Sequence, residues 1–232
     1  MLKVSRKKLS LFLVATLLVS LFIPGMANAQ GKSESKVKLK SLFITIPYEK
    51  SEVNIAKDED ENSAEIKVYD KKSGELLKTY GEVITPDNQV KSNMLMASDY
   101  QATSGSYYIS NIYEDKAVGP VESRLYTSLR IYSYGSFRQI NEVLDTYWSE
   151  ASSGNWYHEN EHSNSISTSG SWPTTEIMTS GTATVTIKTT SSTSGEFSID
   201  ALQQVGFTVS QTTSTDYYAR DEVSISYTYS LY

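Results

Sequence analysis

The chain has 232 residues, with 21 Lys and Arg against 27 Asp and Glu, two His and no Cys. An acidic balance repels phosphate backbones, which require a basic footprint, and so argues against nucleic-acid binding. The absence of Cys excludes disulfides and thiol nucleophiles, and 17 Tyr among abundant Ser and Thr is the composition of strands, not of a helix bundle.

In chain order, Lys3, Arg6, Lys7 and Lys8 precede an apolar run from Leu9 to Ile23, then Pro24-Gly25 and Ala27-Asn28-Ala29. This order predicts a secretory signal peptide over residues 1–29, cleaved between Ala29 and Gln30. The apolar run is shorter than the ~18 to 20 residues a spanning helix needs, so no transmembrane anchor is expected in the mature chain. The 203 residues after the cut (232 less 29) carry 17 basic and 27 acidic side chains, a net charge of −10. Gln30 to Lys40 reads as a loose polar tail, and Ser41 to Pro47 as the first strand.

Asp58, Asp60 and Asn62 have the spacing that opens a calcium loop, where alternate oxygens face the ion. Ser63 then stands where the turn wants Gly, and Tyr69 where a bidentate carboxylate should close the loop, so a solvated acidic turn is the reading favoured. From Ala64 the alternation Ala64, Ile66, Val68, the turn Asp70 to Gly74 and the return to Val83 predict a β-hairpin. Lys91 to Gly105 lacks periodicity and reads as a linker. The expected organisation is therefore a small N-terminal β module with its tail over 30–97 and an antiparallel sandwich-like domain over 98–232.

Tyr107 to Tyr113 and Val121 to Tyr134 are predicted strands joined by a turn at Ala117 to Pro120. Ser136 to Trp148 is ambiguous. Its apolar residues fall at helical spacing with a capping box at Ser136 and Gln139, yet Glu150 to Asn155 reads as a hairpin turn between Tyr147-Trp148 and Trp156-Tyr157, which favours strand. Ser198 to Gly206 predicts one short helix, capped by Ser198 and ended by Gly206. Gly181 to Lys188, Phe207 to Ser210 and Val223 to Tyr232 predict mutually paired strands.

Candidate chemistry is sparse. His158-Glu159-Asn160-Glu161-His162 satisfies H-E-x-x-H, in which two imidazoles one helical turn apart bind zinc and the Glu activates its water. On a strand the two residues lie about 13 Å apart and cannot share an ion. A zinc-dependent hydrolase is therefore the first alternative function. No G-x-S-x-G turn or phosphate-cradling glycine loop occurs. The second alternative is a membrane-active, pore-forming β protein. Ser/Thr-rich alternating strands suit a barrel wall, although the predicted strands are mostly shorter than the ~9 to 11 residues a barrel strand requires. No catalytic, cofactor-binding or metal-ligating residue is assigned, and no cofactor is expected.

Trp172-Pro-Thr-Thr175, Gly181-Thr-Ala-Thr-Val-Thr-Ile187, the Gly206-Phe207 helix exit, Tyr217-Tyr-Ala-Arg220 and the terminal Ser-Tyr-Thr-Tyr-Ser-Leu-Tyr resemble small secreted proteins of uncharacterised function from Gram-positive bacteria. The resemblance covers about the last hundred residues and implies secretion and a β-rich domain, with no activity attached. The leading expectation is a mainly β, non-enzymatic extracellular or cell-envelope protein that works by binding an unknown extracellular or cell-wall ligand, with most aromatic residues expected in the core or in cross-strand pairs rather than on a binding face.

Overall fold

A computed structural model describes residues 34–87 and 105–232. The expected signal peptide, most of the expected linker and the expected boundary near Ser98 lie outside the described residues. The structure is mainly β, with two antiparallel six-stranded sheets and one short helix.

The first sheet takes β1 (Ser35–Lys38), β2 (Phe43–Ile46), β12 (Asp216–Ser230), β10 (Glu176–Thr190) and β9 (Trp156–Ser167) in that order, with β11 (Thr208–Gln211) also on β12. The second is a meander of β3 (Val53–Glu59), β4 (Ser63–Asp70), β5 (Leu76–Pro86), β6 (Ser106–Val118), β7 (Val121–Tyr134) and β8 (Phe137–Glu150). Segments on either side of Ser98 share both sheets, because β5 pairs with β6 and β2 pairs with β12, so the described residues form one compact unit.

Period-two alternation fixes which faces meet. Val223, Ile225, Tyr227 and Tyr229 of β12 and Ile177, Val185 and Ile187 of β10 are buried, while Ser224, Ser226, Thr182 and Met178 are exposed. Opposite them, Ile66, Val68, Tyr80, Ile112, Leu125, Leu129, Ile131 and Ile140 supply the inner face of the meander, and both sets join one core. Burying each such side chain stabilises the fold by roughly 1.5–3 kcal/mol. The core is not wholly apolar. Thr127 Oγ1 lies 2.9 Å from Thr179 Oγ1 and 3.0 Å from both Ser165 Oγ and Tyr227 OH, a hydroxyl hub that ties the sheets together.

Two glycines make room for rings. Gly81 pairs with Tyr113 across β5 and β6, and a Cβ at residue 81 would lie 2.0 Å from Tyr113 Cζ. At Gly181 a Cβ would meet His162 O at 2.9 Å and Trp148 Cζ2 at 3.0 Å.

Several expectations require revision. Ser35–Lys38 is not tail but strand β1, because it pairs along β2 from Ser35↔Ile46 to Lys38↔Phe43. Residues 53–59, which have no apolar alternation beyond Val53 and Ile55, pair along β4 as β3. The ambiguous segment is strand β8, the reading its flanking turn favoured, and its helically spaced apolar residues divide between buried Ile140 and Trp148 and exposed Phe137, Leu144 and Tyr147. The terminal strand and its companion are each 15 residues long and β6 runs 13, longer than the sequence pattern implied, whereas β7 spans the expected Val121–Tyr134. The pattern understated those three because polar residues such as Asp115 and Arg220 continue the pairing.

The helix α1 (Ile199–Gln204) starts where expected. Ser198 Oγ accepts from Ala201 N–H, Leu202 is buried, and Gly206 has a φ of 106°. On the edge of β12 away from β10, β11 ends opposite Arg220 and β2 begins opposite Thr228. In the stretch between them, Asp221 Oδ1 accepts from Glu222 N–H at 2.9 Å and Lys116 Nζ donates to Ser224 O at 3.0 Å. Charged side chains thus occupy edge groups that would otherwise invite another strand.

Candidate functional site

The H-E-x-x-H segment lies on β9, so its residues obey strand geometry. Opposite β10 the pairing runs Thr182↔His162 and then Thr184↔Glu159, which leaves Asn160 and Glu161 facing the single residue Ala183. Asn160 takes a φ of 52°, the left-handed conformation of a bulge residue. The extra residue inverts the alternation. His158 pairs with buried Val185 and points inward, whereas His162 pairs with exposed Thr182 and points outward.

Each member of the motif has separate employment. His158 sits between Trp148 and Trp156, with ring centroids 5.4 and 5.2 Å away, and its Nε2 is 3.0 Å from Ser123 Oγ on the opposite sheet. Burial lowers its pKa below the ordinary imidazole value, with the nearby Glu150 acting weakly the other way. Glu159 Oε2 accepts from Arg220 Nε and Thr186 Oγ1, both at 2.9 Å, and these bonds hold its carboxyl below the usual range. No group of three or more His, Cys, Asp or Glu suited to a metal ion occurs among the described residues.

The acidic run is a turn between β3 and β4. Asp60 Oδ1 accepts from Asn62 N–H at 2.9 Å and Ser63 N–H at 2.7 Å, so it faces the backbone. Glu59 is held down to about 2 by hydrogen bonds from Lys57 and then Lys40.

The aromatic residues divide. Tyr80, Tyr227 and Tyr229 are core, while the outer face of the meander carries two rows. In one, Tyr126 stacks on Tyr147 at 5.1 Å, Tyr113 meets Tyr126 edge-on at 5.3 Å, and Arg124 lies 3.8 Å above the Tyr113 ring while gripping Asp115 through two hydrogen bonds. In the other, Tyr107 approaches Tyr132 at 5.1 Å and Tyr132 approaches Phe137 at 6.3 Å.

That second row ends at a groove. Phe137, 52% exposed, opens a depression of about 380 Å³ whose other walls are Arg138, Gln139, Thr168, Ser169 and Pro173–Glu176. Half-exposed Trp172 precedes Pro173 in a cis peptide on the β9–β10 loop, and paired backbone bonds between Ile140 and Thr174 hold that loop against β8. A second depression of about 400 Å³, lined by Glu34, Lys36, Thr45, Thr168, Glu176 and Thr228, adjoins the first. The two share Thr168 and Glu176, whose side chains hydrogen-bond at 3.0 Å. The groove thus crosses from the meander, over the loop, to the edge of the first sheet.

Its cations are engaged by the protein. Arg138 donates to Ser41 O at 2.5 Å and Leu231 O at 2.7 Å, and Lys36 Nζ donates to Ser230 Oγ and Tyr232 O, both at 3.0 Å, with Glu176 Oε2 at 3.7 Å. What remains on offer is hydroxyl, amide and aromatic surface, with the carboxylate of Glu34 at the far end. Sequence reasoning missed this groove. Its residues come from β1, β2, β8, β10, β12 and a loop, and only Trp172-Pro173 stood out locally. No family model matches the chain, and no curated protein or solved structure is detectably similar to it.

Proposed function

We propose that the chain is an exported, non-enzymatic protein of the extracellular space or cell envelope that works by binding, with the end groove as its binding site. The observation that carries this reading is the open, aromatic-lipped groove on a rigid two-sheet frame. Concave sites with convergent polar groups and exposed rings are where ligands are held. Export follows from the signal-peptide pattern of residues 1–29. The direct experiment is co-sedimentation of the purified chain with insoluble cell-envelope material. Retention that falls in Phe137→Ala and Trp172→Ala, while both variants keep the parental melting temperature, supports the reading. Equal retention of parent and variants removes the groove from it.

A second reading, membrane activity, gains from one observation: six strands run 12 to 15 residues, enough for a barrel wall. Dye release from liposomes is its test, and intact liposomes at saturating protein dismiss it.

A further inference from the structure

We infer that the groove takes an uncharged, linear glycan at least several sugar rings long. This rests on the groove being the binding site and adds the class of ligand. Three features carry it. The groove is open and double, with depressions of about 380 and 400 Å³ meeting at the Thr168–Glu176 pair, so it suits a chain that continues past the site rather than an enclosed small molecule. The exposed ring of Phe137 lines one end, beside the lining residue Pro173 that half-exposed Trp172 precedes, and an aromatic ring offers a pyranose the flat apolar surface on which its C–H face stacks.

The third feature is charge. Arg138, Lys36 and Glu176 are mutually or internally engaged, and Glu34 adds a carboxylate at the far end. An anionic polymer therefore meets no unengaged cation in the groove and approaches a chain of net charge −6. The remaining lining groups are hydroxyls of Thr45, Thr168, Ser169, Thr175 and Thr228 and the amide of Gln139, each of which donates and accepts, as sugar hydroxyls do.

The test uses the purified full chain with cellotetraose, chitotetraose and mannotetraose, each beside its monosaccharide, and with poly(glycerol phosphate) and polyglutamate. Binding is read by titration calorimetry and Trp fluorescence. At least one tetrasaccharide is expected to bind, about tenfold or more tighter than its monosaccharide, with both polyanions silent. Phe137→Ala should weaken that binding about tenfold. Thr45→Arg, which fills the second depression, should weaken the tetrasaccharide while leaving the monosaccharide unchanged. Polyanion binding that depends on Phe137, with all tetrasaccharides silent, overturns the ligand class and leaves the groove standing. Tetrasaccharide binding indifferent to both substitutions overturns the groove itself, and silence of every probe at millimolar concentration overturns the inference.

Discussion

Glu82 is fully buried on the inner face of β5, yet it meets backbone from a segment some forty residues away. Its Oε2 accepts from Lys40 N–H at 2.9 Å, Ser41 N–H at 2.8 Å and Leu42 N–H at 3.1 Å, and its Oε1 accepts from Ser41 Oγ and, at 2.9 Å, from Ser110 Oγ. This carboxylate fastens the β1–β2 turn, and through it the edge of the first sheet, to the second sheet. In Glu82→Ala the buried Leu42 N–H loses a partner at about 1–3 kcal/mol, and the half-exposed Lys40 and Ser41 N–H groups, which recover water, lose about 0.5–1.5 kcal/mol each. The hydroxyls reorient, and relief of a buried charge offsets part of the loss. The expected net destabilisation is about 3 kcal/mol, which for a domain of this size lowers the melting temperature by about 6–12 °C. Glu82→Gln keeps one acceptor oxygen and should fall between. Thermal unfolding followed by near-ultraviolet circular dichroism measures both. A Glu82→Ala protein melting within about 2 °C of the parent would refute the pinning role.

Gly81→Ala should destabilise by about 1–3 kcal/mol, since its methyl displaces the Tyr113 ring, and in a Gly81→Ala/Tyr113→Ala cycle the two effects should fall short of additive by about 1 kcal/mol in urea melts. Thr127→Val removes one hydrogen bond from each of Thr179 and Tyr227, which keep Ser165 Oγ and Leu125 O, and should cost about 0.5–1.5 kcal/mol despite its unchanged size. His158 gives a pH signature. Its folded pKa lies below the unfolded value of about 6.5, so the unfolded chain binds the proton first and stability falls as pH drops through about 6.5 toward the folded pKa. Glu114, Asp115, Glu122 and Glu161, whose carboxyls are raised chiefly by burial, slope the other way at lower pH. The measurement is therefore the difference between the parent and His158→Gln: chemical melts from pH 7.5 to 5.5 should show the parent losing stability relative to the variant, and parallel curves would contradict the burial of a neutral imidazole.

What was legible in the sequence was whatever depends on one residue and its near neighbours. Ser198 and Gly206 bound the helix, Gly74 with a φ of 74° closes the β4–β5 turn, and the alternation from Val223 to Leu231 assigns its faces correctly. Strand length was hidden in β6, where the expected strand stops at Tyr113 but the ladder runs on through Glu114, Asp115 and Lys116, and Asp115 is satisfied by Arg124 on the outer face. The groove was hidden for a different reason, since six elements contribute to it and no local pattern records which strand ends converge.

The bulge at Asn160 and Glu161 shows where a short motif and a fold part company. Without the extra residue, His158, Asn160 and His162 would share one face of β9, and the motif's two imidazoles would point the same way. With it, the strand continues along β10 on both sides while everything beyond the bulge changes face. That change delivers Ser163 to Thr146 O and Ser165 to the hydroxyl hub, and it frees His162 O to accept from Trp148 Nε1 at 3.1 Å. The tryptophan in turn fills the space left by Gly181. The residues that spell a zinc motif are thus distributed by the packing of the two sheets. Deleting Asn160 would test this directly: Glu159 can stay on Thr184, Glu161 take Ala183 alone and His162 stay on Thr182, so the faces beyond the bulge should be kept and the variant should fold with the parent's near-ultraviolet spectrum. A deletion variant that no longer folds would show that Asn160 is not the extra residue of β9.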